Sequence, residues 1–346
     1  ASTFFDSTEM EVHALAAAPN GGLYVATSPD GRIYRVDAQG QASTLFDPED
    51  KYIWSLLVDR DGSVFAGTGD KGTVYKISPD GKAQKFFATK SSHAVSLAFD
   101  QNHRLLVGTG APGRVFRVDA TGKGFLLLDT TYQEVHAIRA DARGVIYAAA
   151  QSGRSQGGGD ALPESTITPP TVTPSVPNVS TEITSIAVVD TGASSAAGAS
   201  SSAADRRGTA SGAVYRIQPD GLWDEMWTSK DDAPYDVAFE NDGALLVATG
   251  PRGKIFRLAG DPVNPVLVTS VPGQQATMIA RGSDRTFVTT ANPGMLVSMA
   301  ATRSTRGTFE SDVKDFDVGR GELACDDPGR LEGRDLHAFR EHQDAG

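Results

Sequence analysis

Apolar residues recur along this chain in runs of about five, separated by polar turns, and the runs return at a fixed interval. Leu15, Leu56, Leu97 and Ile138 stand 41 residues apart in succession, as do Val237 and Met278. Leu23, Val64, Leu105, Ile146, Leu245 and Thr286 form a second column in the same register. Ile33, Val74, Val115, Val214, Ile255 and Leu296 form a third. Phe46, Phe87, Leu128, Trp227, Val268 and Phe309 form a fourth, which Phe5 extends one period backwards. Self-similarity at this period marks a repeat fold. Four short runs per period predict four strands, a to d. Asn20-Gly21, Asp61-Gly62 and Asp242-Gly243 fall between strands a and b, and Asp80-Gly81 and Asp220-Gly221 between c and d. Such pairs accept positive φ and suit tight hairpins. Radial repetition of a four-stranded sheet hides its edges and buries both faces, so the pattern predicts an all-β fold, a β-propeller of four-stranded blades. A β-helix needs shorter coils, and a sandwich does not keep a fixed period.

Two departures shape the expected domain plan. There are six sets of strands a, b and c but seven d strands, because Thr3 to Asp6 precedes any strand a. Either a six-bladed ring closes with one d strand spare, or a seven-bladed ring lacks the first three strands of its first blade. The second is the expectation adopted, since the chain also starts at Ala1 without a Met. The step from Ile138 to Val237 is 99 residues, 58 more than one period. The excess falls at 154–211, between strands b and c of one blade. It has no aromatic residue, five prolines and much Ser, Ala, Gly and Thr, which predicts disorder. The propeller is therefore assigned to residues 1–315. Residues 316–346 break the repeat, hold the single cysteine, Cys325, and are expected to be an unstructured tail. Read one frame over with GC-rich codons, residues 335–346 resemble strand-and-turn sequence, so the tail is expected to be the out-of-frame remainder of a further domain.

Composition narrows the function classes. Hydrophobic residues at 39% and charged residues at 22% suit a globular core. A net charge of −11 argues against nucleic acid, whose phosphates need basic patches. No run of 18 apolar residues exists, so no transmembrane segment is expected. One cysteine excludes an intramolecular disulfide. No phosphate loop, Ser-His-Asp order or zinc motif is present. Trp54, Trp223 and Trp227 do not recur blade by blade, as the docking motif of a quinone-cofactor propeller would.

The best constellation lies where strand a begins. Strand a lines the channel, so its first residues converge on the top mouth. One column there holds Glu11, Tyr52, His93 and Glu134, and the next holds His13, Trp54, His136 and Tyr235. Histidine and carboxylate suit a divalent metal, and aromatics stack on the faces of a sugar-like ligand. No other cofactor is expected. The plainer account is a polar, water-filled channel. A basic column (Arg35, Lys76, Arg117, Arg216, Arg257) and an acidic one (Asp59, Asp100, Asp141, Glu240) are read as charge pairing from blade to blade. Thr27, Thr68, Thr109, Thr249 and Thr290, often followed by glycine, are read as b–c hairpin chemistry.

The repeat, with its LYV, GxVYRV and PDG elements, resembles the broad superfamily of NHL, WD40-like, lactonase-like and streptogramin-lyase-like propellers. KYIWSLLVDRDGSVFAGTGDKGTVYKISPDG, the insertion, and GTFESDVKD more closely resemble a group of uncharacterised secreted bacterial propeller proteins. The resemblance covers roughly residues 1–315. It implies a leader, a seven-bladed propeller with a proline-rich insertion at this place, and a β-rich region after GTFESDV. It implies no activity. The resulting expectation is an exported protein, periplasmic or extracellular, with its leader removed. It is expected to be a monomeric, non-enzymatic propeller that binds an unknown protein or small-molecule ligand at the top mouth. The alternatives are a metal-dependent lactonase-like or lyase-like enzyme working in the channel, and a structural spacer for a C-terminal domain.

Overall fold

A computed structural model describes residues 3–19, 21–152 and 211–300. These residues contain 23 strands and no helix. Blade 1 is β1 (Glu11–Ala17), β2 (Leu23–Ser28), β3 (Ile33–Val36) and β4 (Ala42–Phe46). Blade 2 is β5 (Ile53–Val58), β6 (Val64–Thr68), β7 (Thr73–Ile77) and β8 (Ala83–Ala88). Blade 3 is β9 (His93–Phe99), β10 (Leu105–Gly110), β11 (Arg114–Val118) and β12 (Gly124–Asp129). Blade 4 is β13 (Glu134–Ala140), β14 (Ile146–Gln151), β15 (Gly212–Ile217) and β16 (Trp223–Ser229). Blade 5 is β17 (Ala233–Phe239), β18 (Leu245–Gly250), β19 (Lys254–Ala259) and β20 (Asn264–Ser270). Blade 6 shows β21 (Gln275–Arg281), β22 (Arg285–Ala291) and β23 (Met295–Ala300). Each blade is an antiparallel meander in chain order. A single bridge, Gly110 to Glu134, joins the sheets of blades 3 and 4. The expected tail at 316–346, Phe309, and the insertion at 154–211 apart from Ser211 lie outside the described residues. Ser211 belongs to the ladder, since its N–H donates to the Ser229 carbonyl at 2.8 Å. The chain on either side of the insertion forms the b–c pair of blade 4, with β14 and β15 in register from Ile146–Ile217 to Gln151–Gly212.

The hairpins follow the turn chemistry. Gly62, Gly81, Gly221 and Gly243 have φ of 81°, 85°, 93° and 84°, the left-handed region that an L side chain avoids. The acidic column does more than the expected pairing from blade to blade. Asp100 and Asp141 open the a–b turns of their blades. Each accepts two backbone N–H groups of its own turn at 2.9 Å, from Asn102 and Arg104 and from Arg143 and Val145. The basic column pairs mainly inside its own blade. Arg117 meets Asp100 at 3.3 Å, Lys76 meets Asp59 at 3.8 Å, and Arg257 meets Glu240. Strands c and a of one blade end at the same rim, which puts these groups side by side. Among the described residues only His103 to Asp59 (2.6 Å) and Arg281 to Glu240 (4.0 Å) carry the acidic column across to the next blade.

Five apolar clusters fill the five interfaces between successive blades. Close to the axis the contact is too tight for large side chains. A Cβ on Gly67 would lie 2.5 Å from the Ala94 carbonyl oxygen. One on Gly108 would lie 2.9 Å from that of Val135. Strand a has small residues on the facing positions, and some of them hydrogen-bond to the next inner strand. Ser96 Oγ donates to the Val135 carbonyl at 2.9 Å, and Ser55 Oγ to that of Ala94 at 3.5 Å. Asp236 accepts the Ile279 N–H at 2.9 Å and pairs with Arg139 at 2.8 Å. Burial pushes the Asp236 carboxyl up, against the lowering effect of Arg139 and of the Ile279 and Val237 backbone donors.

The 41-residue columns hold through strand c of blade 5 and slip at its c–d turn. The c–d turn of blade 5 is one residue longer than its counterpart in blade 4, because Leu258 pairs with Pro265 where Ile217 pairs with Trp223. Strand positions point alternately to opposite faces, so a one-residue shift exchanges inside for outside. Thr269 therefore pairs with Ile255 in place of Val268, and Ile279 takes the core place expected of Met278. Ile279 is 5% exposed and Met278 is 48% exposed. A shorter a–b turn in blade 6, closed by Gly282 N–H on the Arg285 carbonyl, restores the register at strand b.

The ring does not close among the described residues. Successive inner strands pack from β1 to β21, but β21 does not pack on β1 as the other neighbours do. Leu15 of blade 1 is 61% exposed and Leu296 of blade 6 is 68% exposed, whereas their counterparts Ile138 and Ile255 are fully buried. Thr3 to Asp6, expected as a d strand, is not a strand, and among the described residues no strand c pairs with it. It still occupies a strand-d place. Phe5 meets Tyr34 at 5.4 Å between ring centres, as Phe46 meets Tyr75 (5.2 Å), Phe87 meets Phe116 (5.4 Å) and Trp227 meets Phe256 (5.6 Å).

The register slip is testable by paired truncations. Ile279→Ala is expected to destabilise the protein by about 2–5 kcal/mol, as buried Ile-to-Ala changes do. Met278→Ala is expected to stay within about 0.5 kcal/mol of wild type. Chemical denaturation of both variants checks this, and a larger loss at Met278 would restore the uniform 41-residue register.

Candidate functional site

The mouth residues sit where each inner strand begins, opposite the last residue of strand b. Glu11 faces Ser28, His93 faces Gly110, and Glu134 faces Gln151 across the a–b ladders. The Tyr52 carbonyl accepts the Gly69 N–H at 2.8 Å, which places Tyr52 in the same row. His13, Trp54, His136 and Tyr235 lie two residues further along their strands. The eight residues proposed from the sequence thus share one end of the channel.

They gather in two groups. In the first, His13 Nε2 lies 3.1 Å from Glu11, and the His13 ring meets Trp54 at 5.0 Å. Trp54 stacks on Tyr52 at 5.7 Å, with planes 18° apart, and meets the edge of His93 at 5.6 Å. In the second, Glu134 is bonded to His136 Nδ1, Gln151 Nε2 lies 3.4 Å from the same nitrogen, and His136 meets Tyr235 at 5.3 Å. Gln275 Nε2 donates to the Tyr235 hydroxyl at 2.9 Å. Burial pushes the Glu134 carboxyl up, but the bond and charge of His136, the Gln151 amide and the charge of His93 together hold it below the usual glutamate value. Among the described residues no three His, Cys, Asp or Glu side chains come together as a metal-ligand set. Each mouth glutamate is engaged by a histidine of its own strand, so the acids and imidazoles that suggested a divalent metal form separate pairs.

The threonine column and the glycine that follows it have different tasks. Thr68, Thr109, Thr249 and Thr290 donate from Oγ1 to carbonyls in their b–c turns at 2.7–3.0 Å, as the sequence suggested. The next residue forms the floor of the mouth. A Cβ on Gly69 would lie 2.8 Å from Trp54 Nε1, 3.0 Å from Tyr52 Cβ and 3.3 Å from His93 Nδ1. Trp54 Nε1 and His93 Nδ1, both against this glycine, are buried and have no hydrogen-bond partner among the described residues. Gln151 and Gln275 were missed from the sequence. Gln151 stands in the floor row, where Gly69, Gly110 and Gly250 stand in other blades, and that break in a row of small residues was the available signal. Gln275 was hidden by the register slip, which placed Gln274 in its row.

No protein-family model matches the chain, and no curated protein matches it in sequence. Among solved structures it is similar to selenomethionine-substituted virginiamycin B lyase from Staphylococcus aureus, at 11% identity, 85% coverage of each chain and a TM-score of 0.55. It is also similar to a streptogramin B lyase, at 12% identity over 85% of this chain and 84% of that one, with a TM-score of 0.55. A chain of a nidogen/laminin complex is similar at 12% identity over 81% of this chain and 89% of that one, with a TM-score of 0.52. The likeness is one of fold. Both the lyases and the laminin-complex chain share the propeller arrangement, and none fixes a ligand for this mouth.

Two measurements test the site's construction. Gly69→Ala is expected to displace Trp54 and change the near-ultraviolet circular dichroism and tryptophan emission without unfolding the blades; spectra identical to wild type would show that the floor is loose. A depressed glutamate pKa contributes stability above the ordinary carboxylate range, and that contribution is lost as pH falls through the depressed value. Glu134→Gln is therefore expected to be less stable than wild type at neutral pH, with the difference closing on acidification below Glu134's ordinary value of 4.5. A difference that stays constant with pH would remove Glu134 from the electrostatics of the mouth.

Proposed function

We propose that this chain is a non-enzymatic, exported propeller that binds a small hydroxylated ligand at the top mouth of its channel. The observation that carries the reading is the buried, unpartnered pair Trp54 Nε1 and His93 Nδ1 beside Gly69. An unmet buried donor costs about 1–3 kcal/mol. A ligand hydroxyl that reached the two nitrogens as the Trp54 ring shifted off Gly69 would accept from the indole and complete the imidazole, while the aromatic faces of Tyr52 and Trp54 take its ring. A cation is the weaker candidate because both mouth glutamates are already engaged by histidines. Pockets of this kind combine a few convergent polar groups with a partly apolar wall. The exported setting comes from the resemblance to secreted bacterial propellers.

Calorimetric titration with simple sugars, lactones and divalent metals tests the reading. A saturable heat is expected for at least one sugar or lactone. Trp54→Phe, which keeps the ring and removes the N–H, is expected to weaken binding by about three- to tenfold, the cost of one net hydrogen bond. Turnover of a lactone during the titration would replace this reading with the enzyme alternative. Absence of heat across the panel would leave a water-filled channel.

A further inference from the structure

A second site lies on the outer rim, between blades 3 and 4. A cleft of about 130 Å³ opens there, lined by Asp129, Thr130, Thr131, Tyr215, Trp223 and Glu225. Trp223 is 46% exposed and its neighbour Leu222 is 70% exposed. The repeat itself shows that this is unusual. At the place of Leu222, blades 1, 2 and 3 carry Gln41, Lys82 and Lys123, and at the place of Trp223 they carry Ala42, Ala83 and Gly124. The backbone task there is the same in all four blades. The carbonyls of Gln41, Lys82, Lys123 and Leu222 each accept one N–H across the c–d turn, at 2.7–3.0 Å. The turn therefore does not ask for Leu-Trp, and Trp223 keeps nearly half of its surface exposed at an outer strand.

The surroundings indicate what would cover it. Trp223 meets Tyr215 edge-on at 5.7 Å, with planes 77° apart, which leaves the indole with an outward face. Of the two acids in the cleft, Asp129 is engaged by Arg114 through two bonds, at 3.0 and 3.3 Å. Glu225 has no ion pair among the described residues. The cleft's net charge is thus negative beside an open aromatic face, which is the setting that attracts a cation to a π-system. Its volume suits the end of one side chain, well short of the several hundred Å³ of a typical small-molecule pocket. The chain's charge of −11 favours approach by basic surfaces.

We propose that this cleft receives the ammonium or guanidinium group of a lysine or arginine side chain presented by a partner polypeptide, laid on the Trp223 indole with Glu225 as its counter-charge. This contact does not depend on the channel mouth.

The test uses the full chain and three capped pentapeptides, Gly-Ser-X-Ser-Gly, where X is arginine, lysine or citrulline. The indole N–H resonance of Trp223, assigned through Trp223→Phe, reports occupancy. The arginine and lysine peptides are expected to shift it saturably, and the neutral citrulline peptide is not. Glu225→Gln is expected to weaken both cationic peptides by about two- to fivefold, as befits a charge and cation–π contact at an exposed site. Resonances elsewhere check that the variant is folded. An equal shift from citrulline, a shift with glucose in place of the peptides, or no shift with any of them overturns the proposal. The peptide comparison on wild-type protein decides the matter even if a variant misfolds.

Discussion

On the face that each blade turns to the next, the backbone nearest the axis approaches the neighbouring inner strand so closely that there is no room for a large side chain. Gly67 and Gly108 stand where a single added carbon would collide with the next blade's backbone. Facing them, Ser55 and Ser96 reach across to backbone carbonyls of the next strand, and Asp236 does the same to an N–H. A buried polar side chain is tolerated there because each is paired. The rest follows from this contact. The blades must fan outward from it, larger residues such as Phe65, Leu106 and Leu246 fill the widening wedge, and the aromatic clasps between strand d and the next strand c close its outer end.

Much of this was legible in the sequence because a fixed period with strand-like alternation leaves few other folds. Leu15, Leu56, Leu97, Ile138 and Val237 all fall on strand a, and the Asp-Gly pairs fall on left-handed glycines. What was not legible has particular causes. A column of fixed step cannot register compensating length changes in two turns, so Met278 and Val268 were assigned inward when they point out. Acidic residues at strand ends look like partners for a basic column, but their first task is local, to hold turn N–H groups. The mouth itself was found from position alone. Its floor was not, because the glycine after each threonine was attributed to the turn.

The mouth shows how a repeat produces one candidate site from similar parts. Every blade presents the same three positions: two on strand a and one floor residue on strand b. With glycine in the floor, as in blade 2, a tryptophan packs against it with its indole nitrogen close to the glycine. With glutamine there, as in blade 4, the side chain joins His136 and Glu134 in a polar cluster. The rim cleft uses the same device at the other end of the blade, where Leu222 and Trp223 replace a lysine or glutamine and a small residue without disturbing the turn.

Blade 4 has a further peculiarity. It carries Ala150 where other blades carry the threonine whose hydroxyl closes the b–c turn. Its two central strands are held by a six-pair ladder, by Ser152 N–H on the Ser211 carbonyl at 3.0 Å, and by the clusters on either face. The molecule thereby contains a natural seam. Two polypeptides divided at this point would each keep half of a blade as an unfinished edge, and each edge is the template for the other. Such a scaffold lends itself to fragment complementation, in which the assembled channel mouth reports that two halves have met.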